Sequence, residues 1–436
     1  MTPSGTITEV NLKRDVSSWS YICRDINVAS DQELNSNEIY QAEILDEINT
    51  AKAAELRSWL EREVYDEVQD KGQSCISVRW VITPKSIDGK LTTKARLVAK
   101  GFQEVQDFRT DSPTCSRESL RLMTAIIASN KWPIQSIDIK TAFLQGHKLE
   151  RSVFLRPPPE ANTTNLWHLR KCVYGLADAP RAFYLRLRQE LTNLNLTPCS
   201  LDQGLFTYAV DGALCGILIC HVDDILYGGN EQFCREIIPS LEKTFDIGTH
   251  SSTSFVYIGI SMKQLPDGSL NVNQRSFTDS IKSLSIDKNR KDSDPISDAE
   301  RTQLRAIIGQ LNWIAGMSRP DLSFDVCQLS SNIKQAKVSD MLYANKVVKR
   351  AQMEPLSVAI PSLKLSKPHI VTYADASFNN LPESGSQGGN IIFLSDGEKA
   401  TPLQWTSARI RRVVRSTVGA EALSVSNACD SSLYLA

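Results

Sequence analysis

The run Leu214-Cys215-Gly216-Ile217-Leu218-Ile219-Cys220 leads through His221-Val222 into Asp223-Asp224, and Ile225-Leu226-Tyr227 leads out. An apolar strand, a tight reversal carrying two acids and a second apolar strand predict a hairpin with both carboxylates at its tip. Like charges held together at the rim of a core repel and raise each other's pKa unless a cation neutralises them. Hard divalent cations with oxygen ligands, Mg²⁺ above all, are the natural partners. Aspartates also favour turns, so the tetrad alone is compatible with plain turn chemistry. A second element narrows the choice. Ser136-Ile137-Asp138-Ile139 is another apolar strand, with a single acid where it gives way to Lys140-Thr141-Ala142-Phe143-Leu144. One carboxylate from that strand and two from a hairpin suit a pair of metal ions ~4 Å apart, the arrangement that activates an attacking oxygen and stabilises a departing one.

Length and charge set the frame. The 436 residues are too many for one compact domain and suit two to four. Net charge is −1, which taken as a sum argues against a protein built to coat nucleic acid. The sum hides a separation: residues 1–70 hold six Lys/Arg against fifteen Asp/Glu, and residues 71–131 hold eleven against five. The longest apolar stretch, Ala213 to Cys220, is less than half of the ~20 residues a spanning helix needs. Met1 to Val10 lacks the apolar core of a secretory signal. The ten cysteines are scattered without a C-x-x-C pair, so they read as buried reduced thiols rather than a disulfide or zinc framework, and an intracellular location follows.

Periodicity supplies the elements. Residues 1–36 are polar and unpatterned. From Asn37 to about Asp70 the spacing of Ile44, Ile48, Ala51, Leu56, Trp59 and Leu60 predicts helix. Cys75–Ile82 and Lys90–Ala99 predict two strands around an Asp88-Gly89 turn, and Ser116–Asn130 a helix with Ser116 as N-cap. Strands are predicted at 204–210, 213–220, 225–227, around 254–263 and at 269–273, with a helix at 231–244. Residues 297–352 read as helical with a break at Arg319-Pro320. A last segment combines strands near 369–374, 389–395 and 401–406 with a helix from about Thr417. There is no Gly-rich phosphate loop, no G-x-S-x-G and no H-E-x-x-H.

Five strings in order then resemble the reverse transcriptase of copia-type LTR retrotransposons. They are Lys94-Ala-Arg-Leu-Val-Ala-Lys-Gly-Phe-Gln103, Asp138-Ile-Lys-Thr-Ala-Phe-Leu, Val173-Tyr-Gly-Leu-Ala-Asp-Ala-Pro-Arg181, Val222-Asp223-Asp224 and Ile308-Gly-Gln-Leu-Asn-Trp-Ile-Ala, the last followed by Ser318-Arg-Pro-Asp321. The resemblance covers roughly residues 50–350. It implies an α/β (α+β) right-hand polymerase of fingers, palm and thumb, making DNA on an RNA template from dNTP and a DNA primer. It also implies two Mg²⁺ ions, with Mn²⁺ a possible substitute. Residue by residue, Asp138 and Asp223 resemble the principal metal ligands and Asp224 the third carboxylate. Arg96 resembles the contact to the incoming triphosphate and Lys85 a second, point-charge contact. Phe143 resembles the bulky side chain that blocks a 2′-hydroxyl. A solvated strand face for the lysines and a plain core role for Phe143 are the alternatives. Two positions depart from the family: His221 stands where tyrosine is usual, and Asp178 where many relatives carry glutamine near the nucleotide.

Downstream, Val371-Thr-Tyr-Ala-Asp375 resembles the first strand of an RNase H domain, and Arg415-Ser-Thr-Val-Gly-Ala-Glu421 the helix with its second acid. Asp430, nine residues after Glu421, turns away from it on an α-helix. The expected organisation is an acidic leader over 1–45, fingers and palm over 46–290, thumb or connection helices over 291–360 and a truncated RNase H-like domain over 365–436. RNase H activity is not expected of this chain alone. Other Pol segments or a second copy are possible partners, a membrane is not, and a cytoplasmic particle or the nucleus is the expected place. Two other readings stay open: a non-catalytic descendant that binds nucleic acid or a protein partner, and an RNA-dependent RNA polymerase. Phe143 and the RNase H-like segment speak against the second.

Overall fold

A computed structural model describes residues 36–87, 90–105 and 107–436, without the side chains of 36–43, 85–91 and 383. Most of the 1–45 leader, the Asp88-Gly89 turn and the Lys85 side chain therefore lie outside the described residues. The chain divides into two compact units, one of residues 1–112 and 141–189, the other of 113–140 and 190–436.

In the first unit, helix α1 (Ser36–Glu61) covers a five-stranded sheet. Its strands are β1 (Tyr65–Val68), β2 (Ile76–Ile87), β3 (Lys90–Ala99), β5 (Phe154–Arg156) and β6 (Leu166–Leu169), in the order β1-β6-β5-β2-β3. Trp59, Leu97, Leu144, Leu155, Trp167 and Val173 fill the core, and α3 (Ala179–Asn193) follows. The helix predicted to Asp70 stops at Glu61 instead. Glu63 turns to φ +48°, and Tyr65 stacks on Trp167 at 4.1 Å while β1 pairs with β6 in register, so cross-strand packing outweighs helical periodicity. Two motif glycines explain each other. A Cβ on Gly101 would stand 2.2 Å from the Gly175 carbonyl oxygen, and one on Gly175, at φ +94°, 2.0 Å from that of Ala99. Only two bare backbones let the Ala99 N–H reach the Tyr174 carbonyl at 2.7 Å.

The second unit is built on the sheet β11-β4-β10-β9-β8-β7, antiparallel throughout. Its strands are β4 (Ile134–Ile139), β7 (Thr197–Pro198), β8 (Leu205–Val210), β9 (Ala213–His221), β10 (Asp224–Gly229) and β11 (Ile247–Ser252). Helix α2 (Arg117–Asn130) begins where the Ser116 hydroxyl accepts from the Ser119 N–H, and packs Met123 and Ile127 into the core. Helix α4 (Ile238–Thr244) joins β10 to β11. A four-stranded sheet follows in the order β12 (Ser254–Tyr257), β13 (Ile260–Gln264), β14 (Leu270–Asn273), β15 (Val358–Ile360). The single strand expected over 254–263 is thus a hairpin, because Ile258 and Gly259 both take positive φ. Helices α5 (Arg275–Ser280), α6 (Asp298–Met317), α7 (Ser323–Asn332) and α8 (Val338–Met353) pack around Leu304, Leu311, Ile314 and Met341. Ser297 and Glu300 form a capping box at the start of α6. Last come the meander β16 (His369–Leu381), β17 (Gly385–Ser395), β18 (Ala400–Ile410) and helix α9 (Thr417–Leu435) against it. The described cysteines are free thiols, but only Cys172, Cys215 and Cys220 are buried, and Cys429 is exposed, so burial holds for part of the set.

Candidate active site

The acids of the second unit sit where three strands meet. Asp138, one residue before the end of β4, is the direct antiparallel partner of Asp224, the first residue of β10. Residues opposite each other on an antiparallel pair share a face, with Cβ atoms about 4.5–5.5 Å apart. Asp224 also pairs with His221, which leaves Val222-Asp223 as a two-residue turn. Val222 takes φ +61°, the first-position geometry of a type II′ turn that glycine ordinarily supplies. The turn is tied to β4, since the Ile139 N–H donates to the Asp223 carbonyl at 3.0 Å.

The electrostatics follow from this crowding. Burial, then the charges of Asp223 and Asp138, push the Asp224 carboxyl up to about 6. Carboxylates crowded together are hard oxygen donors chemically suited to divalent cations. Among the described residues no three His, Cys, Asp or Glu side chains close around a metal.

One contributor escaped the sequence reading. Between the pairs Ile247–Ile139 and His250–Ile137 the register of β11 shifts, so Gly248 and Thr249 oppose Asp138 as a bulge. A Cβ on Gly248 would meet Asp138 Oδ2 at 2.5 Å. The available signal was a glycine in a strand, which marks close approach, but no strand was predicted at 247–252. Beyond the acids along β10, Tyr227 Oη, Gln135 Oε1 and His250 Nε2 form a hydrogen-bonded triangle with sides of 2.8–2.9 Å.

In the first unit, Arg96 on β3 lies over the Tyr174 ring at 5.4 Å, and Phe143 meets the same ring at 4.9 Å. Tyr174 therefore joins two predicted substrate residues, although it carried no prediction of its own. Arg96 Nε is buried without a hydrogen-bond partner. Asp178 is gripped by both terminal nitrogens of Arg151, which also holds Glu104 and lies 4.0 Å over Phe108. The acid that stands where an amide is usual is thus neutralised by a neighbouring guanidinium.

Asp375 lies on β16, and its carbonyl accepts the Ser424 hydroxyl at 2.8 Å. Ser424 is three residues past Glu421 on α9, so one helix face carries both towards the meander. Asp430 is exposed.

A mixed α/β chain with a carboxylate-tipped hairpin beside a third acidic strand has the fold of a nucleic-acid polymerase. The comparisons carry this further. Residues 62–297 match the family described as reverse transcriptase (RNA-dependent DNA polymerase), and the chain belongs to that family. It is 30% identical over 376 residues to a retrovirus-related Pol polyprotein from transposon RE2 of Arabidopsis thaliana, covering 81% of this chain and 25% of that polyprotein. The corresponding RE1 polyprotein is 30% identical over 382 residues, with the same coverage. A Pol polyprotein from transposon TNT 1-94 of Nicotiana tabacum is 29% identical over 187 residues, 41% of this chain and 14% of that one. The chain spans about a quarter of the RE1 and RE2 polyproteins. In fold it is similar to a foamy viral protease–reverse transcriptase solved in complex with double-stranded DNA, at TM-score 0.50 and 11% identity over 86% of this chain and 59% of that one. The right-hand polymerase fold and the copia-type Pol relationship expected from sequence are both borne out. No described helix is long and apolar enough to cross a membrane.

Proposed function

We propose that this chain performs RNA-directed DNA synthesis, adding nucleotides from dNTP to a DNA primer on an RNA template. The observation that carries the reading is the register Asp138–Asp224 with Asp223 on the adjoining strained turn. Asp138, Asp223 and Asp224 are the residues that would hold the two Mg²⁺ ions. Bound there, the metals supply charge neutralisation for the attacking 3′-oxygen and the departing pyrophosphate. The primer 3′-oxygen bonds to the α-phosphorus, the bond to pyrophosphate breaks, and the 3′-hydroxyl gives its proton to solvent water. The protein's part is placement: the Asp223 carbonyl fixed on β4, the carboxylates held on one face, and their repulsion relieved on binding.

Arg96 and Lys85 are read as contacts to the triphosphate, and Phe143 as the barrier to a 2′-hydroxyl. Residues 46–290 are assigned to fingers and palm, 291–360 to thumb or connection helices, and 365–436 to an RNase H-like segment with Asp375 and Glu421 as its first two acids. An intracellular site of action goes with this reading. Primer extension on poly(rA)·oligo(dT) with dTTP and Mg²⁺ tests the function: template-dependent elongation is expected, and none from a folded sample defeats it. Degradation of a labelled RNA–DNA hybrid by this chain alone would contradict the expected lack of RNase H activity.

A further inference from the structure

Strand β11 is the outermost of the six-stranded sheet, and within that sheet it pairs with β4 alone. An edge strand takes its register from one neighbour, and a slip of one residue turns every side chain to the other face. Register matters here at one place. Gly248 and Thr249 bulge opposite Asp138, and the bare Gly248 Cα leaves the room that Asp138 Oδ2 occupies. A slip that brought Thr249 to this place would drive a β-branched side chain towards the carboxylate. Backbone alone fixes the upstream end of the bulge: Ile247 pairs with Ile139, and the Lys140 N–H donates to the Asp246 carbonyl at 2.9 Å. Pairing resumes downstream at His250, opposite Ile137.

The His250 side chain is tied to three other elements. Nε2 lies 2.8 Å from Gln135 Oε1 on β4 and 2.9 Å from Tyr227 Oη on β10, and Nδ1 lies 3.4 Å from Glu242 Oε1 on α4. The amide oxygen of Gln135 accepts from the Nε2–H and, at 2.9 Å, from the Tyr227 hydroxyl. Burial raises the pKa of that hydroxyl, which keeps its proton in place. Side chains two apart on a strand share a face. Gln135 and Ile137, with their partners Tyr227 and His250, therefore lie on one face of the sheet, and Asp138 and Asp224 lie on the other. His250 stands behind the sheet from the acids, and what it fixes is the strand.

We propose that His250 is a positioning residue: its side chain locks the register of β11, which keeps the bulge at Gly248 and so sets the place of the Asp138 carboxylate. The consequence for synthesis rests on the polymerase reading; the lock itself does not. Hydrogen–deuterium exchange of the full chain, without nucleic acid or dNTP, reads the lock. His250→Ala should speed exchange of the amides of residues 247–252 by about fivefold or more, with β9 and β10 unchanged. His250→Gln, whose amide can still donate to Gln135, should restore most of the protection. The His250 side chain is 43% exposed, and Tyr227 and Gln135 keep their own hydrogen bond without it, so neither variant threatens the fold. Single-turnover dNTP addition reads the consequence. His250→Ala should lower the maximal rate about tenfold and leave the half-saturating dNTP concentration within about twofold, with most of the rate recovered in His250→Gln. Adding His250→Ala to Gly248→Ala should cost less than about a further twofold, because both act through one carboxylate, whereas independent defects multiply. Unchanged exchange in His250→Ala overturns the proposal. So does faster exchange with a wild-type rate, or a double variant in which the two losses multiply. Faster exchange in His250→Ala beside a wild type that never extends a primer defeats the polymerase reading and leaves the lock standing.

Discussion

Val222 at φ +61° is a β-branched residue in a region where such residues are outliers, at a cost of order 1–3 kcal/mol. The strain is held at the turn that carries Asp223, and the hydrogen bond from Ile139 to the Asp223 carbonyl keeps the turn from relaxing. Gly248 does the complementary work from the other side of Asp138. A methyl group there must displace Oδ2, so Gly248→Ala should slow primer extension about 10–100-fold while leaving the melting temperature nearly unchanged. Single-nucleotide incorporation rates beside a thermal melt check this, and a wild-type rate would show that the carboxylate position is not set by the bulge. Phe143 is only half-buried and meets Tyr174. Phe143→Ala should raise ribonucleotide incorporation relative to dNTP by about tenfold or more if the ring is the 2′-hydroxyl barrier; unchanged discrimination would make it core.

Helix α1 and strand β3 show how elements are joined through single groups. β3 is the edge strand of its sheet, and its Leu97 N–H donates to the Glu55 carboxylate of α1, which also accepts from the Trp59 indole N–H, each at 3.2 Å. Burial outweighs these donors and the charge of Arg96, so the Glu55 pKa is raised above 4.5. The folded state therefore binds the proton more readily than the unfolded chain, and stability declines as pH rises through the raised pKa. Glu55→Gln keeps an acceptor oxygen without the charge. It should raise the melting temperature at pH 7.5 and flatten its dependence on pH above 4.5, as thermal melts across pH would register. Strands β9 and β10 are locked differently. Phe233 lies against Gly216 and Gly229, where a Cβ would come within 2.3 and 2.4 Å of its ring. Gly229→Ala should destabilise the protein by about 1–3 kcal/mol, with part recovered when Phe233→Leu is added. Denaturant unfolding measures both. The hairpin, Asp138 and the capping of α2 were legible because their signals are local: apolar runs, acids at strand ends, Ser before a periodic helix. The β1 strand, the Gly248 bulge, the Tyr174 bridge and the Arg151–Asp178 pair were not. Each is decided by a partner 27 to 110 residues away in sequence, such as Trp167 for Tyr65 or Asp138 for Gly248.

At the scale of the molecule, a net charge of −1 conceals how the basic groups are placed. Residues 1–70 hold six Lys/Arg against fifteen Asp/Glu and residues 71–131 eleven against five, a contrast that a sum over 436 residues erases. The family match spans both units, which are themselves discontinuous in sequence: 141–189 returns to the first unit after 113–140 has begun the second. That crossing falls between Asp138 and Phe143, so a single motif supplies one acid to the six-stranded sheet and one ring to the other unit. In the proposed function Asp138, Asp223 and Asp224 act together in nucleotidyl transfer on an RNA template. Its most direct test is the single-turnover rate of dNTP addition to an RNA-templated DNA primer, measured for wild type and for Asp138→Asn, Asp223→Asn and Asp224→Asn. Measurable addition by wild type is expected, with a loss of at least about a thousandfold for Asp138→Asn and Asp223→Asn and a reduced rate for Asp224→Asn. Wild-type rates in any variant whose fold is intact, or no addition by wild type itself, would contradict it.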